Sequence, residues 1–291
     1  MPNITNKDVF DKADEYYHIH VDQICKTVNI ESIHKNHQLL KSKFNHYQNQ
    51  HWKFNTFHWA NDVLHLADQL IFGYTKLKSH YLAYKEFTTD GESPSNTYGP
   101  VSFYSDSCIL NLYSMRDKIS LLVWSYFHPF NPKVKNEVLT YLDIVKRLKA
   151  PRNFGFNFNG QNEYVTALNE MSKGNNQFLL LEKYRHYKTH RWEPRIEIYG
   201  VKNHHGFPYS IVEYENDDVS PSIEYKKIDE VIWSYSKVDK LILDCMVNSF
   251  RSASLCFDLL SNRTCGRILT KSYGLPVKLL YKPKLLETTS F

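Results

Sequence analysis

The sequence has few of the residues that build disulfide frameworks and zinc sites. Its 291 residues include only five cysteines, and no two of them form a C-x-x-C pair. Their odd number and wide spacing argue against a disulfide framework and against a zinc knuckle. We therefore expect reduced cysteines, buried where they lie on apolar helix faces: Cys25, Cys108, Cys245, Cys256 and Cys265.

Long apolar runs are also absent. The longest apolar stretch, residues 119–130, contains Ser120, Ser125 and His128. It is shorter than the roughly 20 residues that a membrane span needs. The first 15 residues are polar and acidic, whereas a secretory signal has a basic start followed by an apolar run. These features predict a cytoplasmic protein with no membrane partner and no secretory leader.

Arginine is scarce and unevenly distributed. The formal net charge is +5, and nine of the 36 basic residues are Arg. Three of these nine, Arg185, Arg191 and Arg195, fall within eleven residues, and Lys183, Lys188 and two histidines lie beside them. Arg is a planar, permanently charged donor that suits phosphate. The small positive excess permits an acidic partner such as RNA without requiring one, and this segment is where such contact is expected.

Apolar residues recur at helical spacing over most of the chain. Steps of three and four residues place one apolar stripe on each predicted helix. Proline and glycine residues separate the stripes. The very polar run from Ser32 to Trp52 fits either a solvated helix or a connector. The spacing predicts helices over these ranges: Asn6 to Val28, Phe54 to Phe87, Ser102 to Phe127, Val134 to Leu148, Glu163 to Met171, Asn176 to Trp192 and Ile223 to about Leu260.

A change of period follows the helix that ends near Trp192. Two short alternating runs, Arg195 to Tyr199 and Tyr209 to Tyr214, are separated by turn-forming residues, and this predicts a β-hairpin over residues 195–214. The predicted fold is mainly α: a helical bundle of long antiparallel helices with an inserted β-hairpin after this helix. We expect a single domain over residues 1–291, in which residues 1–53 are an N-terminal helical extension.

The segment from Tyr184 to Arg191 is the best candidate for chemistry. Its Arg185-x4-His190 spacing resembles the signature of the HEPN superfamily, helical-bundle proteins in which His follows Arg after four to six residues. In that motif a polar residue often follows the Arg, and here His186 occupies that position. The run from Ser114 to Ile119 in an earlier helix also looks like members of the superfamily. The resemblance covers about residues 54–262.

The resemblance implies a metal-independent endoribonuclease that uses no cofactor and works as a symmetric homodimer. RNA would be cut by attack of its 2′-hydroxyl on the adjacent phosphate, in a cleft between the two motifs. His190, with an unperturbed pKa near 6.5, could act as acid or base, and Arg185 could hold the phosphate. The superfamily often supplies toxins and defence effectors, which would bring an antitoxin protein as a further partner. Candidate substrate contacts are His186, Tyr187, Lys188 and Arg191, and Tyr184, Tyr187 and Trp192 could stack on unpaired bases.

Helical geometry qualifies this predicted site. Five residues at about 100° each leave Arg185 and His190 roughly 140° apart around an ideal helix. A second chain could supply one of the two side chains. Asp106, Tyr113 and Asp117 share one face of the helix over 102–127, so Asp106 or Asp117 could approach the motif and orient His190. The alternative, which this pattern favours, is a solvated or dimer-facing stripe.

Other interpretations of the segment stay open. Basic residues are favoured near a helix C-terminus by the helix dipole, so the cluster could be a solvated surface. His186 and His190 are one turn apart, as in a metal site, but the H-E-x-x-H glutamate and a third ligand are missing, and we predict no metal. The alternative to a nuclease is a non-catalytic helical module that binds nucleic acid or a protein partner.

Overall fold

The computed structural model describes residues 5–45, 51–87, 98–127, 140–150, 161–172, 175–190, 195–197 and 232–262. This part of the chain contains eight helices and two three-residue strands. The mainly helical fold that the sequence predicts is therefore confirmed. The elements are α1 (Asn6–Val28), α2 (Ile30–Asn45), α3 (His51–Phe87), α4 (Tyr98–Phe127), α5 (Tyr141–Lys149), α6 (Gln161–Asn169), α7 (Asn176–His190), β1 (Arg195–Glu197), β2 (Ile232–Ser234) and α8 (Tyr235–Asn262).

Helix α3 is the centre of the bundle. Helix α4 runs antiparallel to it, since Thr56 contacts Ser125 near one end and His80 stacks on Tyr104 near the other. Helix α8 is also antiparallel to α3, because Tyr81 near the end of α3 stacks on Tyr235 at the start of α8, and His37 contacts both Phe57 near the start of α3 and Phe257 near the end of α8. Helix α1 packs along the remaining side of α3. Antiparallel long helices are thus confirmed.

The polar segment after α1 forms a helix of the bundle. Ile33 and Leu40, seven residues apart, are fully buried in the same core as the side chains of α3 and α8. Polar contacts add to this packing, since Ser32 hydrogen-bonds Ser254 and Lys43 donates to the carbonyl of Leu260. Helix α2 is held by four buried residues at steps of three and four, and the many exposed polar residues around them conceal that signal: Ile30, Ile33, His37 and Leu40.

Helix boundaries follow local capping chemistry. Asn29, with φ of 54° and ψ of 52°, ends α1 in the left-handed region that Asn tolerates better than most residues. A reciprocal capping box between Thr140 and Asp143 starts α5 at Tyr141, within the range that apolar spacing predicted from Val134, and residues 134–139 lie outside the described residues. The cap determines the first residue of this helix, and a cap cannot be detected from the spacing of apolar residues.

The predicted β-hairpin is not supported. Residues Arg195–Glu197 pair with Ile232–Ser234, and the two strands are parallel, whereas the strands of a hairpin are antiparallel. The second predicted arm, residues 209–214, lies outside the described residues. The alternating pattern identified a strand at residue 195 but contained no information about its partner.

The last helix also begins later than its apolar stripe predicted. The sequence placed its start at Ile223, but Ile232–Ser234 form β2 and α8 begins at Tyr235. Asp239 accepts hydrogen bonds from Tyr74 at 2.8 Å and from Tyr235 at 3.3 Å, which fixes the first turn of α8 against α3. Apolar residues of the strand happen to continue the helical period, and this explains the error.

The cysteines follow the prediction where the structure describes them. Cys108, Cys245 and Cys256 are buried free thiols, and Cys25 is half-buried. Burial raises the pKa of Cys256 to about 12. Cys265 lies outside the described residues. Among the helices that the structure describes, none is both long enough and apolar enough to cross a lipid bilayer.

Candidate functional site

Helix α7 is held by one buried face, and this face determines where the predicted motif lies. Phe178, Leu181 and Tyr184 recur at three-residue steps and are all buried, with Tyr184 only 1% exposed. The helix starts after Asn175, whose side-chain oxygen accepts from the backbone of Gln177 at 2.8 Å. Because Arg185 follows the last buried residue, its side chain lies at the exposed edge of the α7 surface.

Asp106 approaches the motif helix, as the face shared with Tyr113 predicted. Its carboxylate accepts a hydrogen bond from the hydroxyl of Tyr184 at 3.3 Å. This contact joins α4 to α7 one residue before Arg185. The role predicted for Asp106, orienting His190, stays a prediction because the side chain of His190 lies outside the described residues.

The ring of Tyr113 carries two guanidinium groups. The Cζ atom of Arg185 lies 4.6 Å from the ring centroid, and that of Arg116 lies 4.8 Å from it. Arg116 also lies 4.6 Å from the ring centroid of Tyr141. The Cζ atoms of Arg185 and Arg116 are therefore at most about 9 Å apart, and both lie against the ring of Tyr113. We call Arg116, Tyr113 and Arg185 the arginine cluster.

The tyrosine does not neutralise the positive charge of this cluster. Burial raises the pKa of Tyr113, and nearby Glu182 raises it further, while Arg116 and Arg185 oppose the shift. The phenol is therefore neutral at physiological pH. Its hydroxyl is buried and has no hydrogen-bond partner among the residues that the structure describes.

The charge of Asp117 is paired within α4. Its carboxylate pairs with the neighbouring Arg116, with Nε at 3.1 Å and Nη2 at 3.0 Å. Asp117 is about half exposed, so this pair is a solvated one and leaves other donors of Arg116 for a ligand. The orienting role that the sequence allowed for Asp117 stays a prediction.

The remaining residues of the predicted site cannot be assigned contacts. His186, Tyr187, Lys188 and His190 lie within α7, but their side chains are outside the described part. Arg191 and Trp192 follow the end of that helix and are also outside it. Because α7 stays helical through His190, the offset of roughly 140° between Arg185 and His190 applies to its backbone.

Arg116 is a candidate that the sequence did not single out as a site residue. It belongs to the run from Ser114 to Ile119 that looks like HEPN proteins, and it lies three residues after Tyr113. Residues three apart are neighbours on a helix surface, so this spacing could have indicated the contact between Arg116 and Tyr113. Its side chain is only 17% exposed, because it packs between two tyrosine rings.

A further cleft among the described residues does not have the features of a catalytic site. An open polar cleft beside the start of α7 contains the ion pair between Arg251 and Glu170, at 2.6 Å. Both of its charges are already paired and solvated. Within the described ranges, no group of three or more His, Cys, Asp or Glu side chains could hold a metal ion.

Comparisons with known proteins do not assign this chain to a family. No protein-family model matches it, and neither a search of curated proteins nor a search of solved structures found a match.

Proposed function

We propose that this protein is a metal-independent endoribonuclease of the HEPN type that works as a homodimer. The observation that supports the proposal best is the arginine cluster, in which Arg185 of the R-x4-H motif and Arg116 of α4 share one tyrosine ring. Two guanidinium groups on one support would give a preformed place for a phosphate. The motif that suggested ribonuclease chemistry and the arginine cluster thus share one residue, Arg185.

The stacking on Tyr113 suits phosphate binding. A guanidinium that lies against a ring face keeps its N–H groups in its own plane, where they can reach an anion. Stacking also restricts the long Arg side chain before the substrate arrives, so that less rotamer freedom is lost on binding. Arg185 and Arg116 would stabilise the charge that grows on phosphorus as the 2′-hydroxyl attacks.

His190 supplies proton transfer in this proposal. With an ordinary pKa near 6.5 it is available as acid or base at neutral pH. Its backbone offset from Arg185 favours a site completed by a second chain, with Arg185 of one protomer and His190 of the other. His186, Tyr187, Lys188 and Arg191 would contact the RNA strand, and an antitoxin protein would act by covering this surface if the enzyme is a toxin.

The decisive experiment measures RNA cleavage in buffer that contains EDTA. The wild-type chain should convert a mixed RNA pool into fragments with 2′,3′-cyclic phosphate ends. Arg185→Ala and His190→Ala should each lower the rate by at least about 100-fold, because each removes a group that acts in the transition state. Arg116→Ala should weaken cleavage by about 10-fold or more, in proportion to one lost charged contact.

Arg251→Ala is the matched control. It removes an exposed guanidinium that pairs with Glu170 and does not belong to the arginine cluster. Its cleavage rate should equal that of the wild type, and circular dichroism should show the same helix content for all variants. A folded wild-type chain that leaves the RNA pool uncut over a pH series would reject the nuclease. If it still binds RNA and loses that binding in Arg185→Ala, the non-catalytic binding module is the correct function.

A further inference from the structure

One exposed strip of α4 is apolar at its centre and uncharged along its length. It consists of Phe103, Ser107, Leu110, Asn111 and Ser114, which lie on one side of the helix at steps of three and four residues. Phe103 is 66% exposed and Leu110 is 49% exposed. The α4 strip spans about 17 Å of helix, from a rise of about 1.5 Å per residue.

An aromatic cluster continues the α4 strip across α3 and α1. Phe103 contacts Tyr104, Tyr104 contacts Phe72, and Phe72 contacts Tyr17. On the other side of Tyr104, His80 stacks against it and meets Phe10. Phe10 and Phe72 are both 49% exposed. Exposed apolar side chains elsewhere in the described part, such as Ile19 and Leu39, do not join this chain of ring contacts.

The α4 strip has no charged side chain, and three charged side chains beside it or over the aromatic cluster have partners. Asp106 accepts from Tyr184, and Asp117 pairs with Arg116. Lys76 pairs with Asp14 and lies over the rings of Tyr17 and Phe72. The centre therefore offers neither the basic groups that a nucleic acid needs nor a charge of one sign for a charged protein partner.

We propose that a second copy of this chain docks on the α4 strip, so that the two strips face each other across a two-fold axis. A two-fold interface places each patch against its own image, so a charged centre would repel itself, and an uncharged one does not. Leu110 and Phe103 would be the anchors, and the edge pairs would form the polar rim.

The exposed area is that of a dimer core. An aromatic side chain offers about 150–250 Å². Phe10, Phe72, Phe103 and Leu110, each about half exposed or more, therefore present on the order of 400–500 Å² of apolar surface. A stable interface needs about 800 Å² on each partner, of which somewhat over half is apolar. The patch matches that apolar share.

This inference deepens the proposed function, from which it takes the pairing of two chains. The α4 strip borders the arginine cluster, because Asp106 and Tyr113 lie on the same helix beside Leu110. A two-fold axis that runs across α4 would bring both clusters to one side of the dimer. The RNA strand could then contact Arg185 of both protomers.

The test is the oligomeric state of the full chain, measured by sedimentation equilibrium over a wide concentration range. The wild type should be a dimer, and Leu110→Asp should raise its dissociation constant by at least about 100-fold, because two buried charges would face each other. Leu39→Asp is the matched control: Leu39 is 44% exposed on α2, away from the α4 strip, and this variant should dimerise like the wild type.

A monomeric wild type at every concentration overturns the inference, and so does a Leu110→Asp dimer as tight as the wild type. A large loss of thermal stability in Leu110→Asp without a change in mass also overturns it, because the strip would then be covered by the same chain. RNA cleavage by the same samples separates the two proposals. Dimerisation that depends on Leu110 without cleavage rejects the nuclease alone, and cleavage by a monomer rejects the α4 interface alone.

Discussion

At the scale of single residues, two buried histidines set the acid sensitivity of the fold. His80 is 4% exposed and packs between Phe10 and Tyr104, where burial lowers its pKa to about 4, with nearby Lys76 adding to the shift and Asp14 opposing it. His37 is buried against Phe57 and Phe257, and burial lowers its pKa as well. Both imidazoles are therefore neutral in the folded chain at physiological pH.

We predict that stability falls as pH drops from about 6.5 toward 4. In this window the unfolded chain binds a proton at His80 and the folded chain does not, so protons favour unfolding. Between pH 7 and 5, His80 alone should cost about 2 kcal/mol of unfolding free energy, which follows from folded and unfolded pKa values of about 4 and 6.5. Urea unfolding at the two pH values measures this loss.

His80→Gln is the variant that isolates this effect. Its stability should change between pH 7 and 5 by about 2 kcal/mol less than that of the wild type, and the slope that persists should come mainly from His37. Acidic pairs such as Asp14 with Lys76 act only below a pH of about 4, because Asp14 has a lowered pKa. An unchanged pH slope in His80→Gln would show that His80 is not buried as a neutral group.

The residues of the candidate site could be predicted from the sequence only in part. Helical spacing placed Asp106 and Tyr113 on one face, and the structure brings both to α7, at Tyr184 and Arg185. The contact of Arg116 with Tyr113 depends on which rotamers two long side chains adopt, and sequence spacing does not determine rotamers. The roles of His190 and its neighbours stay predictions.

At the scale of elements, α3 and α4 pack tightly against each other at a glycine. A Cβ atom added at Gly73 would lie 3.1 Å from the sulfur of Cys108, which is fully buried. The glycine costs the helix about 1 kcal/mol relative to alanine, so its gain must come from packing. Gly73 therefore lets the two longest helices meet beside the thiol.

We predict that Gly73→Ala and Cys108→Ala are coupled. In the wild-type background Gly73→Ala should give little or no stabilisation, because the added methyl group crowds the sulfur and offsets the helix propensity. In the Cys108→Ala background the same change should stabilise by about 1 kcal/mol. Denaturant unfolding of the four proteins gives the coupling energy, and a value of zero would mean that the helices have room to shift.

Element boundaries show what periodicity can and cannot predict. The predicted range of α1, Asn6–Val28, is confirmed to the residue, and α3 and α4 are confirmed with starts three and four residues earlier than predicted. These helices carry long apolar stripes, so burial alone selects them. The starts of α5 and α8 depend on a Thr140 cap and on strand pairing with β1, which are single local or long-range contacts.

At the scale of the whole molecule, the N-terminal helices are part of the main core. The spacing of apolar residues and the HEPN resemblance predicted a bundle over about residues 54–262 with residues 1–53 as an extension. That boundary stays a prediction. The side chains of Ile24, Val28, Ile33 and Leu40 are nevertheless buried in one cluster with those of α3, α4 and α8. Removing α1 and α2 would expose the matching faces of α3 and α8 to water.

We predict that a chain lacking residues 1–50 does not unfold cooperatively. The exposed apolar faces would leave a loosened state that binds a hydrophobic dye, as expected when specific packing is lost. Calorimetry and dye fluorescence measure both properties. A sharp thermal transition in the truncated chain would show instead that residues from 51 onward fold independently.

Two adjacent leucines of α2 give a finer version of this experiment. Leu40 is fully buried and Leu39 is 44% exposed. Leu40→Ala should cost about 2–5 kcal/mol of unfolding free energy, because it leaves a cavity in the shared core. Leu39→Ala should change it by about 0.5 kcal/mol or less, as for an ordinary surface position.

The parallel pairing of β1 with β2 has a consequence for how this protein can vary. The two strands are only three residues long, so residues 198–231 leave after Glu197 and return at Ile232 a short distance away, at the other end of the strand pair. The entropic cost of closing such a segment rises only by about 0.6 kcal/mol for each doubling of its length. A change in the length of the segment between the two strands should therefore cost the bundle little free energy of unfolding. The arginine cluster, which lies outside this segment, would stay intact.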